Sequence, residues 1–208
     1  MRIPESKRLK FKLLVPPEDA DLLMELEAHI KSILEIQPGI YTKSTAPDPN
    51  GDPKVMRFIS GGKPSVLNDI LTISMPRIVQ YRNADRGWGI WMVYLKTNDE
   101  FLGWILVRPM GFFSEAPDES DLELGWRFKS SSWGNGYATE SATAVMDALI
   151  ENGERKFTAM AIPENDASIS VMKKIGMKFL KQDTHHDPVG GSDEVVYYQK
   201  IVGDDVNE

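Results

Sequence analysis

Ahead of a long helical pattern, and after an alternating one, the chain reads Ser131-Ser132-Trp133-Gly134-Asn135-Gly136-Tyr137-Ala138-Thr139-Glu140. Two glycines one residue apart let a backbone turn tightly and bring bare N–H groups close to a ligand. A helix that starts directly after them adds its own unpaired N–H groups and about half a positive charge. Together these parts make an anion site suited to a pyrophosphate. An ordinary turn has the same Gly-x-Gly spacing; the strand before it and the helix after it are what favour the anion site. Two familiar phosphate loops are excluded. A Walker A loop needs Lys and then Ser or Thr after its second glycine, and Tyr137 and Ala138 stand there. A dinucleotide fingerprint needs a small third residue where Thr139 stands, and no parallel unit precedes it.

Other chemistry is narrowed by what is missing. No cysteine occurs in the 208 residues, which excludes a cysteine nucleophile, thiolate metal sites and disulfides, and fits a cytoplasmic home. His185-His186-Asp187 invites a metal reading, but adjacent histidines in a Pro/Gly loop with no third histidine nearby are expected to face solvent, and no metal is expected. His29, on a helix, reads as structural. Net charge is −7, from 24 Lys+Arg against 31 Asp+Glu, which argues against a nucleic-acid partner. No apolar run approaches the ~18 residues of a membrane span. The basic N-terminal stretch lacks the apolar core of a secretory signal.

The elements that must position these residues follow from periodicity. Leu9–Val15 reads as a strand and Glu18–Ile36 as a helix with a stripe of Leu22, Leu23, Leu26, Ile30, Ile33 and Leu34. Gln37–Pro53 is a long polar loop. Lys54–Ile59 reads as a short helix, and Ser65 caps another that runs toward Tyr81 or Asn83, with a kink or a break into two segments at Pro76 and Gly87 after its end. Gly89–Lys96 and Phe101–Arg108 form a hairpin. Met110–Ser120 is a loop. Asp121–Phe128 alternates, with Leu122, Leu124, Trp126 and Phe128 on one face and Asp121, Glu123, Gly125 and Arg127 on the other. A helix over Tyr137–Glu151, a strand over Phe157–Ile162, a helix over Asp166–Ile175 and a strand over Met177–Lys181 follow. Asp183–Ser192 reads as a turn-rich loop, Glu194–Ile201 as the last strand, and Gly203–Glu208 as a mobile tail. This order predicts one α/β (α+β) domain over residues 1–208. Its mixed central sheet has six to seven strands, helices on both faces and a parallel pairing in its later half.

Four segments in this order, Leu122-Glu123-Leu124-Gly125-Trp126, Trp133 to Glu140, Pro163-Glu164-Asn165-Asp166-Ala167-Ser168 and Lys174-Ile175-Gly176-Met177, resemble the GNAT acetyltransferase superfamily. They look most like its branch related to ribosomal-protein N-terminal acetyltransferases. Looser similarity runs from Lys7-Arg8-Leu9 through Val55-Met56-Arg57-Phe58 to Val196-Tyr197-Tyr198. The resemblance implies a GNAT fold and acetyl-CoA as cosubstrate. Its pyrophosphate would lie on Trp133, Gly134, Asn135, Gly136, Tyr137 and Ala138, its pantetheine arm along Trp126, Arg127 and Phe128, and Asn165 near the thioester. The sequence departs from the family pattern in four places. Ser131 stands where many members carry Gln or Arg, Met172 where many carry a catalytic Tyr, and Met177 where an aromatic is usual. The polar loop also looks longer than the branch usually has.

The implied reaction is acetyl transfer to a primary amine, either a protein N-terminus or a small amine. Glu123 is the candidate to take the ammonium proton through a water, against the reading of a solvated strand residue. Asp121 is an alternative anchor for a substrate cation. Backbone N–H groups around Trp126 to Phe128 are the oxyanion donors. Ser168 is the candidate to protonate the thiolate, or else lies in the first turn of a helix capped by Asn165 or Asp166. Glu140 would repel a pyrophosphate and is expected to turn away. Trp88, Trp91 and Trp104 line an acceptor groove or pack the sheet. The polar loop and Pro64–Gly87 select the acceptor or are surface insertions. The alternative function is a catalytically weak acyl-CoA-binding sensor, favoured by Met172 and Ser131. The chain is expected to be a monomer or homodimer.

Overall fold

The computed structural model describes residues 1–14, 53–59 and 73–203. The helix expected over Glu18–Ile36, the polar loop up to residue 52, the helix start at Ser65 and the tail beyond Gly203 lie outside the described residues.

Seven strands form one sheet. They are β1 (Leu9–Leu13), β2 (Gly89–Leu95), β3 (Phe101–Met110), β4 (Asp118–Phe128), β5 (Lys156–Ala161), β6 (Lys178–Asp187) and β7 (Gly191–Ile201), in the spatial order β1-β2-β3-β4-β5-β7-β6. Neighbours are antiparallel except β4 and β5, which are parallel. The described helices are α1 (Pro53–Met56), α2 (Met75–Tyr81), α3 (Tyr137–Glu151) and α4 (Asp166–Lys174), with a 3-10 turn at Ser130–Ser132. None is long and apolar enough to cross a membrane.

The residues of β2 are almost all buried, because both faces of the sheet are covered there. Trp91 and Val93 join the main core with Val145, Met146 and Leu149 of α3 and Met172 of α4. Ile90, Met92 and Tyr94 point the other way and pack with Met75 of α2 in a second cluster. The expected mixed sheet between helices is therefore present, and β4–α3–β5 gives the expected parallel pair.

The last strands are arranged differently from their order in the chain. β5 and β6 are not neighbours, because β7 lies between them, antiparallel to both. Burial explains the order: Val195, Val196, Tyr197 and Tyr198 of β7 are buried, whereas β6 is exposed almost throughout. The more apolar strand takes the inner place.

The loop expected over Asp183–Ser192 is also corrected. Both strands run through it, pairing as far as Asp187 with Gly191. One carboxylate oxygen of Asp187 accepts the N–H groups of Val189 and Gly190 at 2.8 Å each, closing the turn in place of a longer loop. Pro76 stands in the first turn of α2, directly after the π-helical residues Ile73 and Ser74. That helix stops at Tyr81, one of the two expected ends. Arg82 is extended, and Asn83 and Trp88 close the following turn by exchanging main-chain hydrogen bonds.

Arg77 ties α2 to this hairpin with Nη1 and Nη2 at 3.0 and 2.5 Å from the two oxygens of Asp187. Burial alone would raise the Asp187 carboxyl. Arg77 and the N–H groups of Gly190 and Val189 outweigh that and pull it down to about 2. The folded value lies below the ordinary 3.8, so the stabilisation is complete above 3.8 and is lost as pH falls toward 2. A carboxyl NMR titration of Asp187 is expected to give a midpoint near 2, and Arg77→Ala to move it back toward 3.8. A midpoint already at the ordinary value in the intact chain would contradict the latch.

Candidate active site

β4 pairs with β3 from Leu122 opposite Pro109 to Phe128 opposite Gly103, but with β5 only at Leu122–Phe157 and Glu123–Thr158. Beyond Glu123 the parallel strands part, and no described strand lies along that edge of β4 from Leu124 to Phe128. Gly103 lets β3 hold the other edge closely: a Cβ there would sit 2.3 Å from the carbonyl oxygen of Arg127 and 2.7 Å from Cα of Phe128. A cleft of about 720 Å³ opens at the parting. Trp126, Arg127, Phe128, Trp133, Gly134, Gly136, Tyr137, Ala138, Asn165 and Ser168 all line it, so it gathers most of the sequence-selected residues.

The turn between β4 and α3 is braced from within. Trp133 Nε1 donates to the Phe128 carbonyl at 2.9 Å, and Ser132 Oγ to the Lys129 carbonyl at 2.7 Å. Asn135 does not line the cleft; its Nδ2 donates to the carbonyls of Ser132 and Trp133, so its side chain shapes the turn. Gly134 and Gly136 have φ of +79° and +77°, a left-handed conformation that other residues adopt at a cost. Gly136 is also the N-cap of α3, and the helix start has no side-chain cap. Among the described residues no backbone acceptor meets the N–H groups of Gly134, Asn135 or Gly136. A helix of 15 residues thus presents bare donors to the cleft, where Ser, Thr, Asp or Asn would normally close them off. This fits an anionic group. Glu140, which would oppose one, is turned out of the cleft and bound by Ser6 and Arg8.

Across the cleft, Asn165 is the N-cap of α4, its Oδ1 accepting from Ser168 N–H at 3.1 Å. Asp166 lies in the first turn and is not the cap. Ser168 Oγ accepts the indole N–H of Trp126 at 3.1 Å. A hydroxyl that accepts in this way keeps its own proton to donate. Met172 is fully buried in the core and does not line the cleft.

Glu123 is neither solvated nor part of the cleft wall. It is 7% exposed, on the face of β4 opposite the main core. Arg108, directly across on β3, grips it with Nε and Nη2 at 2.8 and 3.0 Å. Burial opposes the charge on Arg108, and the Glu123 carboxylate more than restores it. Asp121, read as an alternative cation anchor, already holds Lys156 at 3.1 Å and accepts from Thr158 and Gln199.

The tryptophans do not form one groove. Trp88 and Trp91 are buried in the main core, while Trp104 lies on the opposite face beneath Arg127. His185 and His186 are consecutive strand residues and point to opposite faces, one toward Tyr197 and one toward Ser192. Among the described residues no three side chains are placed to hold a metal ion.

Sequence reasoning missed two walls of the cleft. One is Lys54, Val55, Arg57, Phe58 and Ile59, too short a stretch for periodicity to place. The other is Ala167, Ser170, Val171 and Lys174 of α4, whose spacing puts them on the helix face of Ser168 and could have been read.

Residues 43–178 match the family model described as acetyltransferase (GNAT) domain. A protein of Bacillus subtilis (strain 168) named YkkB is 34% identical over 131 residues, covering 62% of this chain and 72% of that protein. An FsC-acetyl coenzyme A-N(2)-transacetylase of Aspergillus fumigatus is 28% identical over 142 residues, covering 64% of this chain but only 59% of its own length. Among solved structures, RimL, a ribosomal L7/L12 alpha-N-protein acetyltransferase in complex with coenzyme A, superposes with a TM-score of 0.62. That match covers 97% of this chain and 98% of RimL at 15% identity.

The left-handed turn gives a direct test. A Cβ on Gly136 meets nothing closer than Arg8 Nη2 at 3.7 Å, so a substitution there strains φ without a clash. Gly136→Val should cost about 1–2 kcal/mol and lower the affinity for coenzyme A at least tenfold by calorimetry, since the N–H groups lose their aim. Unchanged affinity would mean the turn does not hold the diphosphate.

Proposed function

The chain belongs to the GNAT acetyltransferase family, and on that premise we propose that it transfers acetyl from acetyl-CoA to a primary amine by direct attack. The observation that carries this reading is the uncapped start of α3 behind two left-handed glycines, at the mouth of a cleft that runs along the unpaired edge of β4. The N–H groups from Gly134 to Ala138 bind the diphosphate. The arm leading to the thioester lies along Trp126, Arg127 and Phe128, as an added strand would.

Acetyl-CoA supplies a thioester carbonyl that a neutral amine attacks; the C–N bond forms, the C–S bond breaks, and the amine loses a proton. Backbone N–H groups of the free β4 edge stabilise the oxyanion. Glu123 takes the amine proton through a water. Its pairing with Arg108 leaves each carboxylate oxygen a further lone pair for that water and fixes the carboxylate in place. Ser168, oriented by Trp126 and Asn165, gives a proton to the departing sulfur. Met172 offers no proton and faces the core; α4 brings the hydroxyls of Ser168 and Ser170 to the cleft, and Ser168 is the one held by the Trp126 indole.

The acceptor is a protein N-terminus or a small amine. RimL, by its name, acts on a ribosomal protein, and the Aspergillus relative carries an N(2)-transacetylase name. Both chemistries need an amine delivered unprotonated to the same place.

An acetylation assay against a library of amines and peptide N-termini tests the reading. With the best acceptor, Ser168→Ala is expected to lower kcat roughly 100-fold, the lower end of general acid catalysis, with KM for acetyl-CoA nearly constant. Glu123→Gln is expected to lower kcat similarly while coenzyme A affinity holds. Acetyl-CoA binding without transfer to any amine would favour the sensor reading.

A further inference from the structure

The head of α3 contains its own obstacle. Glu140 lies in the first turn of the helix that is to receive a diphosphate. A carboxylate there favours the empty helix, because it faces the positive end of the dipole, but it opposes an anion bound at that end. The N-terminal segment removes the obstacle. Ser6 Oγ, the N–H of Arg8 and Nε of Arg8 donate to the Glu140 carboxylate at 2.7, 2.9 and 2.7 Å. Burial alone would raise the Glu140 carboxyl, and these bonds from Ser6 and Arg8 hold it below the ordinary carboxylate range. Glu140 is therefore a charged group, and its charge has to be balanced.

Arg8 balances it while touching the phosphate turn itself. Its Nη2 donates to the carbonyl of Asn135 at 3.0 Å, and its guanidinium carbon lies 4.6 Å from the centre of the Tyr137 ring. One planar group thus bears on Glu140, on Asn135 and on Tyr137, the two neighbours of Gly136. Leu9, fully buried and paired with Leu95, begins the strand directly after Arg8, and a main-chain bond from Ser6 to Leu9 places Ser6 beside Arg8.

We propose that Arg8 is a positioning residue of the cofactor site: it neutralises Glu140, so that the bare N–H groups at the head of α3 meet a diphosphate with no opposing charge. This rests on the reading of that turn as the acetyl-CoA diphosphate site. The site is thus completed by the segment that leads into β1, more than a hundred residues away in sequence and across the sheet from β4.

The test is calorimetric titration of acetyl-CoA into the intact chain and into Arg8→Ala, Arg8→Lys, Glu140→Gln and the double variant Arg8→Ala/Glu140→Gln. Thermal melting establishes that each is folded. Arg8→Ala is expected to weaken binding about tenfold or more at low salt, and the loss should shrink as NaCl is raised, because a screened charge repels less. Arg8→Lys keeps the charge and should stay within about threefold of the intact chain. The double variant should recover to the same range, since without the carboxylate there is nothing to neutralise. A merely structural role for Arg8 would leave the double variant as weak as Arg8→Ala, and that result overturns the proposal. Equal losses in Arg8→Ala and Arg8→Lys, or no loss in Arg8→Ala, do so as well. If Arg8→Ala does not fold, the comparison of Arg8→Lys with the double variant decides in the same way. Failure of the intact chain to bind acetyl-CoA would instead overturn the reading of the turn on which this inference rests.

Discussion

A strand edge and a helix start that no described strand or side-chain cap covers organise this molecule. Backbone N–H and C=O groups are ordinarily paired wherever they are buried. Here, among the described residues, no strand pairs with β4 on its β5 side after Glu123 and no side chain caps the start of α3, and both border one cleft. The remaining pairings compensate for it. β3 follows β4 to Phe128, helped by the missing side chain at Gly103, and β7 secures β5 over its whole length. The opening is therefore a fixed feature of a well-paired sheet, and a ligand with an extended polar arm and a diphosphate end matches both sets of free groups.

Charge is arranged around that opening with similar care. Three carboxylates stand close to it on β4 and α3, and each is paired with a cation: Glu123 with Arg108, Asp121 with Lys156 (which also meets Asp118), Glu140 with Arg8. The chain is acidic overall, so a net charge of −7 offers no general attraction to an anionic cosubstrate. Affinity must come from local donors, and local neutralisation keeps nearby carboxylates from cancelling them. Glu123 and Arg108 sit on the sheet face away from the α3 core, whereas Ser168, Trp126 and Asn165 sit on the cleft side. The proposed acid and base thus lie on opposite faces of the sheet.

Much of this was legible in the sequence. The alternation in β4, the hairpin of β2 and β3 and the apolar stripe of α3 are strong periodic signals, and the Gly134-x-Gly136 turn announces itself between a strand and a helix. The hairpin of β6 and β7 was not legible, because its outer strand is solvated and polar and its turn contains the Pro and Gly that usually mark a loop. A single Asp187 side chain closing the turn decides the matter, and no periodicity reveals that. The partners of Glu123 and Glu140 were hidden for another reason. Arg108 meets Glu123 through the register of two antiparallel strands, and Arg8 meets Glu140 across the whole fold. Such contacts are set by tertiary structure and leave no local pattern. The same holds for Val55, in the one-turn helix α1, and Phe58, in the turn after it, which both reach the cleft.

The most direct measurement is an acetyl-CoA titration followed through the backbone amide resonances of the labelled chain. The account predicts saturable binding in which the largest shifts fall on Gly134, Gly136, Tyr137 and Ala138 at the head of α3, and on Trp126 to Phe128 along the edge of β4. Binding that leaves those amides unmoved, or no binding at all, would contradict it.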